Sequence, residues 1–412
     1  ASVTGTYVYM GDDMSVGMND LKGPVGGILG SLPEGLLPPA VLQQAQALLA
    51  KDWAMKLQDR SFGTVAANIT VPVYTGGKIN AANNAAKIKV ENAAQKETQA
   101  RNGLVSELTE RYYGLALAMQ VVEVRKQVLD GMRHHLSDAV ALENNGIIAK
   151  GERLYAEVHT AEAEREYLKA QKTVETLKSA LGSTLNSEES VAPASDMFIL
   201  SDIEGADYFK QCALDRNPLL RQVSYAKRLA TENMRLQRSE FAPQVALMGI
   251  ASLYNYQVSS IMPKWAVGAG VSFKIFDGLH REYKFSAARW QIRQAEAVGE
   301  QAHNNMLTLI DKLYNEMVTY SQQLPSVDAS YRFATEYLRI KDEAFKEGAA
   351  PSSDVVDARL NLAKIKIERL QAAYYYDLML ARLLEAAGIS EAFSDYAKRS
   401  AAMPIRFEDE SN

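Results

Sequence analysis

The chain has almost no cysteine and few histidines, which excludes several kinds of function. Cys212 is the only cysteine among 412 residues, so the chain can form neither an internal disulfide nor a thiolate metal cluster. The five histidines lack the spacing of metal ligands and are expected to be ordinary solvated or packed residues. The sequence also shows no nucleophile–base pair and no phosphate-binding loop. We therefore expect a protein that is not an enzyme and that has no metal or cofactor.

Long apolar runs and an excess of positive charge are also missing. No stretch of 18 apolar residues occurs, which excludes a transmembrane helix, so a membrane-embedded chain of this sequence would have to cross as β-strands. Lysine and arginine number 45 against 50 acidic residues, a formal net charge of −5. A nucleic-acid-binding protein would normally show a basic face, so nucleic acid is not expected as a partner.

What the sequence does contain is an internal repeat. Shifted by 202 residues, the chain aligns with itself without a gap for over 100 residues. Glycines and aromatic residues keep one register in this alignment, with Gly76 on Gly278, Tyr112 on Tyr314 and Gly146 on Gly348. The chain is therefore predicted to contain two copies of one unit: a strand-like stretch, a very long helix, a short turn with glycine and a second helix.

The long segments of both copies are predicted to be helices that pack along their whole length. Residues 78–142 contain no proline and carry an apolar residue every seven positions, and the second copy keeps this spacing from Ile310 to Phe345. A helix of this length would measure about 100 Å, too long for a compact globular domain. Pro325 lies inside the second long helix, where we expect a kink or a break. Shorter helices are predicted at about 152–186, 218–239 and 354–387.

Four segments alternate with a period of two, the pattern of strands with two different faces. The clearest are 65–73 and 265–275, and two weaker ones are 1–10 and 244–256. Each has about the length that a tilted strand needs to cross a bilayer. One face is apolar and the other is small or polar, with aromatic residues near the ends, as expected for lipid outside and water inside. Helices alone would equally fit a soluble coiled-coil scaffold, and the strands decide against it.

Four strands cannot close a barrel, so the chain is expected to assemble. An open sheet would leave unpaired backbone groups in lipid at several kcal/mol each, and the smallest membrane barrels have about eight strands. Three copies would give twelve strands and a closed tube of helices. Two copies, with eight strands, remain formally possible.

Several motifs occur in a fixed order: Asn217-Pro218-Leu219-Leu220, Phe241-Ala242-Pro243, the turns Tyr74-Thr75-Gly76 and Phe276-Asp277-Gly278, and the tip sequence from Gly348 to Arg359. Together they make the chain similar to the TolC-like outer-membrane efflux proteins from Ala1 to about Ile389. The resemblance implies a mainly α fold with a membrane β part. Its duplicated strand–long-helix repeats would form a trimeric 12-stranded β-barrel continuous with a periplasmic α-helical barrel.

The function that this resemblance implies is an exit duct in the outer membrane of a Gram-negative bacterium, with a large periplasmic portion. A homotrimer would passively conduct substrates of a tripartite efflux or type I secretion system. Its partners would be a periplasmic adaptor, an inner-membrane transporter and outer-membrane lipid. The alternative is a non-conducting helical scaffold of the cell envelope.

Six segments follow from the repeat and the resemblance. They are a first β-hairpin (1–76) with a long extracellular loop (11–60), a first helical hairpin (77–189), a linker or equatorial segment with a helix (190–243), a second β-hairpin (244–277), a second helical hairpin (278–389) and a C-terminal equatorial tail (390–412). Within the loop, Val41 to Leu57 is predicted to be an amphipathic helix. A signal peptide and one further helix are expected before Ala1, because the second copy has a helix before its first strand.

The resemblance places the periplasmic entrance at the turns 143–153 and 345–355. The residues expected to contact the adaptor there are Gly146, Ile147, Gly348 and Ala349. In some family members a tyrosine and an arginine beside the second tip glycine lock the entrance closed. Phe345 and Ala350 occupy those positions here, so closure is expected to rest on packing, with Phe345 as a gate residue.

Acidic residues follow both tip glycines. Glu152 and Asp354 each lie six residues after the glycine, and Asp357 lies one turn later. In the family, acids at these positions line the entrance, where three chains would bring nine carboxylates together, attract cations and raise one another's proton affinity. Alternatively, Glu152 and Asp354 interact favourably with the helix dipole at the start of their helices, and both interpretations can hold.

The turns from strand to helix are expected at glycines, namely Gly76, Gly77 and Gly278.

Overall fold

The computed structural model describes residues 1–33, 36–187, 191–259 and 262–406. They fall into two compact units, one of Ala1–Asn84 with Glu232–Arg289 and one of Ala85–Thr231 with Trp290–Asn412. The segment boundary expected at 189–190 and the last six residues of the expected C-terminal tail lie outside the described residues.

The strands of the described residues are β1 (Ser2–Tyr9), β2 (Met14–Gly17), β3 (Ala54–Gln58), β4 (Ser61–Tyr74), β5 (Met197–Leu200), β6 (Gln244–Tyr256), β7 (Trp265–Ser272) and β8 (Ala402–Ile405). The first unit holds a four-stranded sheet in the order β1-β4-β6-β7, in which every neighbouring pair is antiparallel. These four strands lie where the period-two alternation predicted them. Strands β2 and β3 form a two-stranded sheet in the first unit, and β5 and β8 form another in the second unit.

The α-helices of the described residues are α1 (Lys22–Gly30), α2 (Pro39–Ala50), α3 (Lys78–Asn144), α4 (Lys150–Leu185), α5 (Ala206–Arg216), α6 (Pro218–Ser239), α7 (His280–Lys346), α8 (Ser352–Ala386) and α9 (Phe393–Ala397). The helices α3 and α7 each contain 67 residues and begin 202 positions apart, the shift that aligns the sequence with itself. Among the helices described, none combines the length and the apolar character that a membrane crossing needs.

A kink or a break was expected at Pro325. No break occurs there, and α7 continues through the proline to Lys346. A proline removes one backbone hydrogen bond from a helix interior and disturbs the preceding turn. Here Leu324 beside it is only 7% exposed and belongs to the main core of the second unit. Packing of the flanking turns therefore holds the helix together where its own hydrogen bonds are weakened.

The helix predicted from Val41 to Leu57 is wrong in its second half. Helix α2 ends at Ala50, Lys51 has an extended backbone, and β3 then pairs with β2. Trp53 fixes this change of direction, since its backbone N–H donates to Asn19 Oδ1 at 2.9 Å and its indole N–H donates to the Leu48 carbonyl at 2.8 Å. A pairing partner some 40 residues away decides the structure here, and an apolar pattern cannot show such a partner.

The core of the second unit surrounds α8. This helix buries residues from Ser352 to Ala386 on several sides, and the two-stranded β5–β8 sheet packs against it. Asp377 of α8 is fully buried and accepts a hydrogen bond from the Phe198 backbone N–H of β5 at 3.2 Å. Burial raises the pKa of Asp377 well above its usual range, and the hydrogen bond from the Phe198 backbone N–H acts in the opposite direction.

Glycines with positive φ stand at both turns from a strand of the large sheet into a long helix. Gly76 and Gly77 have φ of +62° and +89°, and Gly278 has φ of +70°. Leu279 follows Gly278 at φ of +66°, which costs a non-glycine residue about 1–2 kcal/mol. A Cβ added at Gly76 would lie 2.5 Å from the Ala242 Cβ, whereas one added at Gly278 would meet nothing within 4 Å.

Replacing the two turn glycines by alanine separates backbone strain from crowding. Gly278→Ala introduces only the left-handed backbone penalty of about 1–2 kcal/mol. Gly76→Ala adds an overlap with Ala242 and with the Ser239 carbonyl, so we expect its thermal unfolding midpoint to fall clearly further. Equal midpoints for the two variants in differential scanning calorimetry would contradict the close packing at Gly76.

Candidate functional site

The large sheet has one apolar face. Ala67 lies opposite both Val3 of β1 and Ala251 of β6, and Ala251 lies opposite Trp265 of β7. Because successive side chains alternate across a strand, this register brings the predicted apolar positions of all four strands to one side. We define the apolar face by its large members, each 50–77% exposed: Val3, Tyr7, Tyr9, Ile69, Val71, Leu247, Tyr254, Trp265, Val267 and Val271.

The opposite side of the sheet, the polar face, carries small and hydroxylated residues. Its members include Thr4, Thr6, Thr64, Asn68, Thr70, Ser252, Asn255, Gly268, Gly270 and Ser272. Several of them are hydrogen-bonded across strands: Asn68 donates to Thr4 at 3.2 Å, and the Thr64 hydroxyl donates to Asn255 at 3.0 Å. The two faces thus differ in chemistry, as the alternation predicted.

Aromatic residues gather at the ends of the apolar face. Gly63 lies opposite Tyr7 of β1 and Tyr256 of β6, and a Cβ on it would lie 3.3 Å from the Tyr7 ring. At the other strand ends, Tyr74 and Phe273 are 51% and 54% exposed. Tyrosine and tryptophan favour membrane–water interfaces, so this distribution suits a sheet with one face in lipid.

The two helical tip turns have the same geometry. Gly146 after α3 and Gly348 after α7 have φ of +71° and +70°. Past each glycine, a backbone N–H reaches back to the helix: Ile147 donates to the Leu142 carbonyl at 2.9 Å and Ala349 to the Ala344 carbonyl at 2.8 Å. This is the glycine-dependent termination known as the Schellman motif. The turns are also close together, since a Cβ on Gly348 would lie 3.1 Å from Ile147 Cγ2.

The three predicted tip acids have different surroundings. Glu152 accepts a hydrogen bond at 2.7 Å from the backbone N–H of Ser352, the first residue of α8. It therefore pairs with a free N–H at the start of α8 and not with one at the start of its own helix, α4. Asp354 forms an ion pair with Lys341 of α7 at 2.6 Å. The Asp357 side chain is exposed, and none of the described cations pairs with it.

Phe345, predicted as a gate residue, is 1% exposed within the single chain. It packs in a small cluster with Ala139, Ala156 and Val355 and thus joins both helical hairpins from inside. The His135 ring lies 4.4 Å from the Phe345 ring, and His135 Nε2 lies 2.6 Å from the Ser352 hydroxyl. From the sequence, His135 was expected to be an ordinary solvated or packed residue. No sequence pattern indicated its hydrogen bond with Ser352, which lies 217 positions away.

A second contact missed by the sequence involves Arg359 of the tip motif. Its guanidinium donates to Asp342 of α7 at 2.9 Å and lies over Gly131 of α3, where any Cβ would overlap it. Arg359 therefore connects three helices through one side chain. Gly131 could have indicated this contact from the sequence. A glycine in the interior of a helix costs about 1 kcal/mol, so its presence suggests that another group packs closely against the helix there.

The described residues contain no cluster of histidine, cysteine, aspartate and glutamate that could hold a metal ion. The chemistry of the site is instead that of surfaces: an apolar face, a polar face and a charged pair of turns.

Comparison with known proteins bears on the family resemblance and on the fold. Residues 210–389 match the outer membrane efflux protein family, while no curated protein matches the chain by sequence. The outer membrane protein VceC from Vibrio cholerae shares the fold with a TM-score of 0.70 and 16% identity, over 94% of this chain and 87% of that one. The Campylobacter jejuni CmeC outer membrane channel has a TM-score of 0.71 and 14% identity, over 97% and 81% of the two chains. Together these matches confirm the resemblance to the TolC-like outer-membrane efflux proteins.

The buried His135 is expected to make the stability of the tip depend on pH. Burial and the neighbouring Arg359 guanidinium lower the pKa of His135 from 6.5, although Asp342, Asp138 and Glu152 act in the opposite direction. The unfolded chain therefore takes up a proton at a higher pH than the folded tip, and stability is lost as the pH falls below about 6.5. We expect amide hydrogen exchange in the tip turns to accelerate between pH 7 and pH 5.

The variant His135→Gln should flatten this pH dependence while keeping a polar group near Ser352. His134→Gln is the matched control, because His134 is the exposed neighbour on the same helix. Identical exchange profiles for the two variants would exclude His135 as the origin of the effect.

Proposed function

With its residues 210–389 identified as outer membrane efflux protein sequence, and its fold as that of outer-membrane channels, we propose that this chain is the protomer of a trimeric exit duct. The duct passively conducts substrates delivered by an inner-membrane transporter and a periplasmic adaptor to the cell exterior. The observation that carries the proposal is the four-stranded sheet with an exposed apolar face and a hydrogen-bonded polar face.

An exposed apolar face of this extent needs an apolar environment. Val267 is 77% exposed, Val271 71% and Trp265 67%, on one strand and one side. Contiguous apolar surface on a soluble monomer rarely exceeds a few hundred Å² without serving as an interaction surface. Lipid against this face and water against the polar face is the arrangement of a membrane β-barrel.

Closure of the sheet supports assembly into three copies. Among the described strands, β1 and β7 each pair on one side only. Because neighbouring strands are antiparallel throughout, β7 of one copy would run antiparallel to β1 of the next. Three copies then give twelve strands without an edge, and two copies would give eight, close to the smallest membrane barrels.

The helices supply the periplasmic part of the proposed duct. Each long helix follows a strand of the large sheet after a short connection and ends at a tip turn, and the match of α3 and α7 in length supports a duplicated unit. We propose that Gly146, Ile147, Gly348 and Ala349 contact the adaptor. Ile147 is 56% exposed although apolar, which favours a partner at this turn. Phe345 would hold the turns together from inside, and Asp357 would face the entrance with Glu152 and Asp354 beside it.

Single-channel recording in a planar bilayer tests the proposed function. The purified protein should have a native mass of three protomers, each contributing 45.4 kDa from these 412 residues, and should conduct ions after insertion. A trimer that inserts but never conducts, even after the tip turns are disrupted, would favour the envelope scaffold. A monomer that does not insert would contradict the membrane placement of the sheet.

Charge variants at the tip test the proposed entrance. Asp357→Asn removes an exposed, unpaired acid from each chain, so we expect a lower preference for cations over anions in reversal-potential measurements. The matched control is Lys341→Met with Asp354→Asn, which removes an ion pair at the same turn without changing the net charge.

The control protein should keep the selectivity of the natural chain. If Asp357→Asn leaves ion selectivity unchanged while conductance persists, the entrance assignment of Asp357 is wrong and the duct itself is not affected.

A further inference from the structure

The polar face carries one apolar cavity that its role as a water-lined wall does not explain. The cavity measures about 510 Å³, within the range of about 300–1,000 Å³ that small-molecule sites occupy. Its floor includes Phe62, Ala66 and Ile250, at polar-face positions of β4 and β6. Its walls have apolar members on two sides of the sheet's end: Met10, Met14 and Leu57 from the chain between β1 and β4, and Val258, Met262 and Pro263 from described residues that follow β6.

A hydrogen-bonded clamp holds the two walls together. Gln58 at the end of β3 donates from its amide to the Gln257 carbonyl and accepts from the Ser259 backbone N–H at 2.8 Å. Ser61 donates to the Gln257 side chain at 2.9 Å. These hydrogen bonds connect the end of β3 and the start of β4 to the residues that follow β6, all within the first unit.

The polar groups of the cavity are mostly occupied with one another. The Thr64 and Ser252 hydroxyls both bond to the Asn255 side-chain oxygen, and Gln58 is used in the clamp. Lys264 differs, because it is exposed at the cavity and no carboxylate of the described residues forms an ion pair with its ammonium group. An occupant thus meets an apolar wall and one free cation.

We propose that this cavity binds small amphipathic anions, molecules with an apolar ring or chain body and one acidic group. The apolar body fills the space between the methionines and Phe62, and the acidic group lies against Lys264. Methionine side chains are flexible and adapt to different apolar shapes, so the site accepts a class of molecules rather than one compound. The position of the cavity inside the conduit rests on the proposed function, whereas the cavity itself belongs to the single chain.

Two fluorescent probes that differ in one group test the charge preference. The anion 8-anilinonaphthalene-1-sulfonate and the neutral N-phenyl-1-naphthylamine share the same ring system. In nanodiscs of neutral phosphatidylcholine, with empty nanodiscs as background, we expect saturable binding of one sulfonate probe per chain. The neutral probe should bind about threefold to tenfold more weakly, since it lacks the charge-assisted contact.

Variants locate the site. Ala66→Phe fills the cavity from its floor and should abolish the saturable component. Thr70→Phe is the matched control, four residues along the same strand and face but outside the cavity, and should bind like the natural chain. Lys264→Gln should remove the preference for the sulfonate over the neutral probe. Met14→Glu with Met262→Glu, at two exposed rim positions, should also abolish binding if Ala66→Phe fails to fold.

Two binding results would overturn the proposal. Saturable binding that survives both the Ala66 and the double methionine variants places the probe elsewhere and refutes the cavity as its site. Equal affinity of the two probes in the natural chain and in Lys264→Gln refutes the anionic class. Conductance is measured on the same samples: a conducting duct without probe binding refutes only this inference, and probe binding by a protein that never conducts refutes only the proposed function.

Discussion

The backbone groups at the two open edges of the large sheet impose the strictest requirement on this molecule. Strands β1 and β7 have eight residues each, and within the described part of the chain each has a partner strand on one side only. In water such edges are solvated, but in hydrocarbon each orphan group costs several kcal/mol. In the proposed membrane placement the apolar face lies in hydrocarbon, so these edges would have to pair with edges of further copies.

The two turns that lead from the large sheet into the long helices are built differently. At the first turn, two glycines adopt positive φ and Gly76 lies tightly against Ala242, while Lys78 pairs with Glu240 at 3.0 Å. At the second turn, the buried Arg281 donates to the Lys274 and Ile275 carbonyls and stacks over Phe241. At the first turn, the lack of a side chain on Gly76 lets the backbone lie close to Ala242. At the second turn, the large side chain of Arg281 fills the corresponding space. Both hold the chain where its direction changes abruptly.

Sequence patterns predicted the elements well wherever one periodicity governs a long stretch. The four strands, both long helices and the tip glycines lie where alternation, heptads and glycine turns indicated them. The patterns failed where a distant contact decides the structure, as in the pairing of β2 with β3 and in the bulges beside Val65 and Pro72. The tip acids show the same division. Their positions followed from the resemblance, but the partners of Glu152 and Asp354 lie on other helices, and no local rule identifies a hydrogen bond across 200 residues.

Those partners change the electrostatics expected of the tip. An ion pair such as Asp354 with Lys341 has no net charge, and its field falls off much faster than that of a single acid. Arg359 with Asp342 and Arg153 with Glu143 are neutralised in the same way. The nine carboxylates counted from the sequence thus overstate the ring, because only the unpaired acids act over the Debye length of about 8 Å at physiological ionic strength. Among the described residues, no cation pairs with Asp357 or with Glu152, whose hydrogen bond comes from a neutral backbone N–H, so these two acids supply the charge of the proposed entrance, and the paired acids mainly hold the helices of the tip together.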